Sequence, residues 1–312
     1  MHRMQIATAA RWSLAALLTV GLGACNSEDK VGPNQVALNE QNAPAIADLT
    51  VGLVETSLQG LTIQAFDFSD FGGVSLAAGR MLTPAPTLSL SNFALDGCPS
   101  FTPDPPIDTD QDGVPDNALF TFDPQFCTTT DQTGTGVVTG SVRVSDPASA
   151  TIGFDLDINT LRFAFTSASS SETLALTQDG TRSLRGSTSL LTLDEDFSLG
   201  VEAGGQSVSL DAAHSASFTA ETPSSIVFDG PLPNGTLDMS GNFQVVAPDG
   251  FFNLVLNTPV PLTYDASCGF GGDVVAGVLR AAASSRQGAA AVQVTLNGCG
   301  VEPTVVFIGA TT

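Results

Sequence analysis

Apolar residues along most of this chain recur at every second position. In "TIGFDLDI", Ile152, Phe154, Leu156 and Ile158 alternate with polar or small residues, the period of a half-buried strand. Leu161, Phe163 and Phe165 resume the alternation on odd numbers, so the spacing predicts a turn or bulge near Asn159 and Thr160. The same period marks Leu174 and Leu176, Phe197 to Val201, Val208 and Leu210, Val292 to Leu296, and the terminal "VVFIG". Runs this short, separated by Gly, Pro, Asn and Asp, predict antiparallel pairing. One earlier segment has a different period. Ile46, Leu49, Leu53, Val54, Leu58 and Leu61 fall at helical spacing, with Asn42 as a cap and Pro44 in the first turn. They predict one amphipathic helix over about 43–64, although Gly52 and Gly60 each cost on the order of 1 kcal/mol relative to Ala. The expected fold is mainly β: an antiparallel curved sheet or β-sandwich with one N-terminal amphipathic helix, forming a single domain over 42–312.

A weak repeat overlies the strands. Gly134, Gly180, Gly235 and Gly271 are each followed six positions later by another glycine, Gly140, Gly186, Gly241 and Gly277. The separations are too irregular for a solenoid. They fit hairpins in which the first glycine turns the chain and the second permits a bulge or bend.

Charge narrows the functions available. The net charge is −22, and all 32 acidic residues lie after residue 24, with 8 of the 10 basic ones (Arg3 and Arg11 precede it), so residues 25–312 carry 8 − 32 = −24. Such a surface repels nucleic acid and anionic lipid headgroups, which need clustered Lys and Arg. Of these acids 24 are Asp and 8 Glu, a balance that favours turns over helices.

The N-terminal residues speak to location. Arg3 and Arg11 precede "SLAALLTVGL", an apolar run too short to span a bilayer, and "LGAC" follows at Leu22–Cys25. This ending resembles the lipobox of bacterial lipoproteins. The resemblance implies a signal peptide over 1–24, a lipidated Cys25, and membrane attachment through that lipid. Residue 26 is Asn, not the Asp that retains lipoproteins at the inner membrane of enteric bacteria, which implies an outer-membrane lipoprotein. Residues 25–41 then read as the anchor and a polar tether.

Four further cysteines remain: Cys98, Cys127, Cys268 and Cys299. An even number in an oxidising compartment points to disulfides. Of three possible connectivities, sequence proximity favours Cys98 with Cys127 and Cys268 with Cys299. A four-cysteine zinc site is the rival, but it usually brings close C-x2-C pairs, and the sequence has none.

Between the first two cysteines, within an acidic loop over 104–117, stands "DTDQDGVPDN". Alternate Asp residues in a tightening loop can surround calcium, which takes six to eight oxygens, while Gly113 permits the sharp turn. The spacing resembles the calcium loops of EF-hands and, more closely, of thrombospondin type 3 repeats. On that resemblance the ligands are Asp108, Asp110 and Asp112, the Val114 carbonyl, and Asp116 directly or through water. The sequence departs from an EF-hand at Leu119, where a bidentate Glu belongs, and "ALFTFD" reads as a strand, so no helix-loop-helix sensor is implied. The wider layout of "CPSFTP", "DQDGVPD", "FTFDPQFC", "CGFGG" and "NGCG" is similar to uncharacterised β-rich bacterial lipoproteins, a likeness that carries no activity.

Catalytic signatures are sparse. No P-loop, dinucleotide fingerprint, H-E-x-x-H or G-x-S-x-G elbow is present. A glycosidase needs aromatic platforms around its carboxylates, but the sole Trp, Trp12, lies in the signal and Tyr264 is the one Tyr. His214 is the single histidine after the signal and would have to serve any triad. The expectation is therefore a non-enzymatic, calcium-stabilised envelope protein with a binding or structural role, its ligand or partner open. The alternative is a carrier of an apolar ligand or lipid in a Phe-lined groove, like outer-membrane lipoprotein carriers. A hydrolase using His214 or the Asp cluster is the weaker third class.

Overall fold

A computed structural model describes residues 35–61, 98–130, 134–147, 152–169, 173–203, 206–227, 230–247, 250–268, 272–283 and 290–310. Cys25, the signal and most of the tether lie outside these residues, as does 62–64 of the expected helix.

Thirteen strands form one antiparallel sheet. They are β1 (Ser100–Thr102), β2 (Asn117–Phe122), β3 (Thr128–Thr130), β4 (Gly134–Ser145), β5 (Ile152–Ser167), β6 (Thr173–Gly186), β7 (Leu190–Ala203), β8 (Gln206–Ala220), β9 (Gly235–Ala247), β10 (Gly250–Asp265), β11 (Asp273–Ala283), β12 (Ala291–Leu296) and β13 (Thr304–Ile308). Apart from β3, which pairs only with β4, the strands follow chain order from β1 to β13 as a meander. The sheet does not close on itself, and no second sheet faces it among the described residues. The curved sheet is therefore the expectation that holds, and the sandwich does not.

The helix, α1 (Ala43–Leu61), takes the place of a second layer. It touches β7 near the middle of the sheet and β11, β12 and β13 at its end, so the sheet curves around it. Burial runs almost all round α1, through Ala45, Ile46, Ala47, Leu49, Thr50, Leu53, Val54, Thr56, Ser57 and Leu61; Pro44, Asp48 and Glu55 face out. This is a core helix with a narrow exposed stripe, more enclosed than the amphipathic helix its spacing predicts. Its buried hydroxyls bond back to their own helix, Thr50 Oγ1 to the Ile46 carbonyl at 2.7 Å and Thr56 Oγ1 to the Gly52 carbonyl at 3.1 Å. Asn42 does not cap the first turn with its side chain. Its Oδ1 accepts instead from the Asn39 N–H at 2.9 Å, and Nδ2 donates to the Ala37 carbonyl, bracing the chain that leads into the helix.

The inner face of the sheet is apolar, and Phe120, Phe218, Leu184, Leu191, Leu193, Leu237, Leu254, Leu256 and Leu262 are among its largest buried side chains. Each such Leu or Phe contributes about 1.5–3 kcal/mol on leaving water. The bulge expected near Asn159 is present: β5 is a single strand whose register against β4 and β6 slips there, with Thr160 at φ 46° and its N–H held by Asp179 Oδ1 at 2.6 Å. Gly140 at φ 114° faces Thr160, where a Cβ would lie 2.2 Å from the Thr160 carbonyl oxygen, so this bend requires glycine. Of the paired glycines, the second makes the bend at Gly140 and Gly277; in the Gly180–Gly186 pair the first does so.

Candidate functional site

Two clusters of polar side chains stand out. The first is the acidic loop. Disulfides join Cys98 to Cys127, with Cα atoms 5.2 Å apart, and Cys268 to Cys299 at 5.7 Å. The former closes the base of a segment in which β1 and β2 pair on either side of the loop. Asp108 Oδ1 accepts from the Gln111 N–H at 2.8 Å and Oδ2 from Gly113 at 3.0 Å, while Asp112 Oδ1 accepts from Val114 at 2.8 Å. Gln111 at φ 62° and Gly113 at φ 93° coil the backbone tightly enough for these bonds. Carboxylate oxygens of Asp108, Asp110 and Asp112 lie within 4.8 Å of one another. Asp116 takes another course. Thr109 donates to it from both its N–H, at 2.9 Å, and its hydroxyl, and these bonds hold the Asp116 carboxyl below the usual range. Val114 is fully buried and anchors the loop to the core.

Asp146, just beyond β4, joins this group although 30 residues separate it from Asp116 in sequence. Its N–H bonds the Pro115 carbonyl at 3.0 Å. Burial and then the charges of Asp112, Asp110, Asp116 and Asp108 raise its carboxyl. Burial likewise raises Asp112; the Val114 N–H opposes the rise, and Asp110, Asp108 and Asp116 add to it. The loop thus gathers negative charge that none of the ion pairs among the described residues relieves. Three grouped oxygens, in a loop able to add a backbone carbonyl, form a donor set of hard oxygens that suits calcium.

The second cluster lies under the last turn of α1. Arg182 of β6, Glu195 of β7, His214 of β8 and Gly241 of β9 are paired successively across four strands, which sets their inner-face positions in one row. Arg182 donates from Nε and Nη2 to Glu195 Oε1, both at 2.5 Å. Glu195 Oε2 lies 3.1 Å from His214 Nε2, and Ser57 Oγ of α1 lies 2.8 Å from the same nitrogen. Only 1% of the Glu195 side chain and 2% of that of His214 are exposed. Burial pushes the Glu195 carboxyl up, but Arg182 and then His214 outweigh it and hold it below the usual range. Gly60 completes the fit. A Cβ there would lie 2.8 Å from Leu193 Cδ2 and 3.4 Å from the Arg182 guanidinium carbon, so its absence lets the helix rest on the row.

Ser, His and Glu together invite comparison with a hydrolytic triad, which places serine on one imidazole nitrogen and the carboxylate on the other. Here both partners crowd Nε2, and Nδ1 has no hydrogen-bond partner among the described residues. Ser57 is also fully buried, beyond the reach of a substrate. On the opposite face of the sheet, Thr181, Ser183, Asp194, Asp196, Ser215 and Ser240 line an open depression of about 390 Å³, whose lining also includes Glu195, Ala213, His214 and Gly241. Their strands turn the Glu195 and His214 side chains away from it, since neighbours along a strand point to opposite faces.

Ser57, Arg182 and Glu195 escaped the sequence reading, but a signal for the two charged residues existed. Glu195 stands in phase with Leu191, Leu193, Phe197 and Leu199, and Arg182 in phase with Leu176 and Leu184, as His214 is with Leu210, Ala212, Ala216 and Phe218. A charged residue at an apolar position of a two-residue period marks an inward polar site. No family model, curated protein or solved structure matches this chain.

Proposed function

We propose that the protein is a lipid-anchored component of a bacterial cell envelope, sited at the outer membrane, with a non-enzymatic binding or structural role and an acidic loop braced by calcium. The observation that carries the calcium reading is the grouping of Asp108, Asp110 and Asp112 oxygens within 4.8 Å, inside a segment closed by a disulfide. These residues would hold the ion, with the Val114 carbonyl completing the loop's contribution, Asp116 acting through water and Asp146 adding to the negative charge nearby. The ion would neutralise the carboxylates and fix the loop; its role is structural. The lipid reading rests on the lipobox resemblance at Leu22–Cys25.

Two observations favour this over the other classes. The helix α1 occupies the concave face that an apolar ligand would need, and phenylalanines and leucines such as Phe120, Phe218 and Leu254 pack as core. The Ser57–His214–Glu195 arrangement is buried and misdirected for hydrolysis. Thermal unfolding of the full chain in calcium and in EDTA tests the loop, and no metal-dependent difference would sink the calcium reading. Mass analysis of membrane-extracted protein, wild type against Cys25→Ser, tests the anchor: an unmodified N-terminus in the wild type would remove it.

A further inference from the structure

Exposed apolar side chains concentrate at one end of the sheet. Val301 is 53% exposed, Val305 42%, Val306 46% and Ile308 36%, all within one short stretch. That stretch contains β13, which has no charge and no proline and is exposed on both faces over most of its length. It is nevertheless held in place, paired with β12 from Thr304 to Ile308 and touching α1. Among the described residues, its far side pairs with no strand. Such an edge presents a row of unpaired N–H and C=O groups, which proteins commonly guard by shortening the strand or adding proline and charge. The opposite edge shows that guarding: β1 has three residues, stands between Pro99 and Pro103, and is tied down beside Cys98–Cys127.

We propose that the open edge of β13 receives an extended strand from another polypeptide, apolar at its centre and flanked by Lys or Arg. The backbone row supplies the pairing, while Val305 on the inner face and Val306 and Ile308 on the outer offer contacts for alternate side chains of the incoming strand. Charge selects the flanks. Glu302 sits just before β13, and the chain carries −22 overall, so a second copy or an acidic strand is repelled and a basic one attracted. This deepens the binding role proposed above and rests on it, but not on the cation; loss of calcium binding would leave it standing.

The test uses the full chain and two labelled peptides, KKTVVFIKK and EETVVFIEE, titrated in calcium and in EDTA. The basic peptide is expected to bind about tenfold tighter or better at low salt, with the gap closing as salt rises. Val305→Pro, which removes an outward-facing backbone donor and a side chain from the edge, is expected to abolish binding. If that variant fails to fold, Val305→Lys serves, weakening the basic peptide while leaving the backbone intact. Equal binding of the two peptides, no binding of either, undiminished binding by a folded edge variant, or salt-driven self-association in place of peptide binding would each overturn the proposal.

Discussion

The acidic loop and the buried row treat the same chemical group in opposite ways. Glu195 is deeply buried, yet its carboxyl is held below the usual range because Arg182 and His214 face it. Asp112 and Asp146 are far more open to water, yet theirs are raised, by what burial they have and by the charges of neighbouring aspartates. Depth in the protein does not decide the outcome; the charges and hydrogen-bond donors that face each carboxyl do. The buried row is complete in its charge balance, whereas the loop calls for a cation from outside.

The sharpest way to break this comparison is to make the row resemble the loop. Arg182→Met would leave Glu195 buried without its guanidinium partner, and is expected to cost about 3–5 kcal/mol by denaturant unfolding. Arg182→Met with Glu195→Leu removes both charges and is expected to recover most of that loss. A single-variant cost near zero would mean that the row does not hold the sheet under α1.

The converse change makes the loop resemble the row. Calcium at about 100 times its Kd is expected to stabilise the chain by roughly 2.7 kcal/mol, read as a rise in Tm that EDTA reverses. Asp110→Asn with Asp112→Asn should abolish the calcium response. If the wild type shows none, the loop is a solvated turn and the contrast with Glu195 is one of exposure alone.

A smaller effect is expected at the contact between helix and row. Gly60→Ala places a Cβ against Leu193 Cδ2 and is expected to cost about 1–2 kcal/mol through overpacking, despite the better helix propensity of Ala. An increase in stability would show that α1 has room to lift off the row, and the close approach would then not be what positions Ser57 beside His214.

The period of two made most of the strands and even the Thr160 bulge legible, because each strand buries one face and exposes the other. Whether one sheet or two would result was not legible. That depends on α1 filling the concavity, and a helix nearly all buried has the same apolar spacing as one that lies on a surface. In the loop, Asp108, Asp110 and Asp112 could be read from their alternate spacing. Asp146 could not, since only the pairing of β2 with β4 brings it beside Pro115. Arg182, Glu195 and His214 could be found one by one as polar residues in an apolar phase, but their alignment needed the register of β6, β7 and β8.

The exposed stripe of α1 gives the finest test of what partners do. Glu55 reaches the surface, yet its carboxyl is raised by the protein packed around it and then by the charge of Asp273, with no cation among the described residues to offset either. A carboxyl raised in the folded state favours folding below the ordinary carboxylate range and loses that contribution as pH rises through its folded value. At neutral pH the ionised Glu55 is therefore a cost that Glu55→Gln removes. After solvent screening the gain is expected to stay below about 1 kcal/mol, present at pH 7 and vanishing toward pH 4, as read by paired unfolding curves. Because the acidic loop is a separate cluster, the gain should be the same in calcium and in EDTA. A gain that calcium abolishes would mean that the ion's influence reaches α1, and that the two acidic clusters act as one.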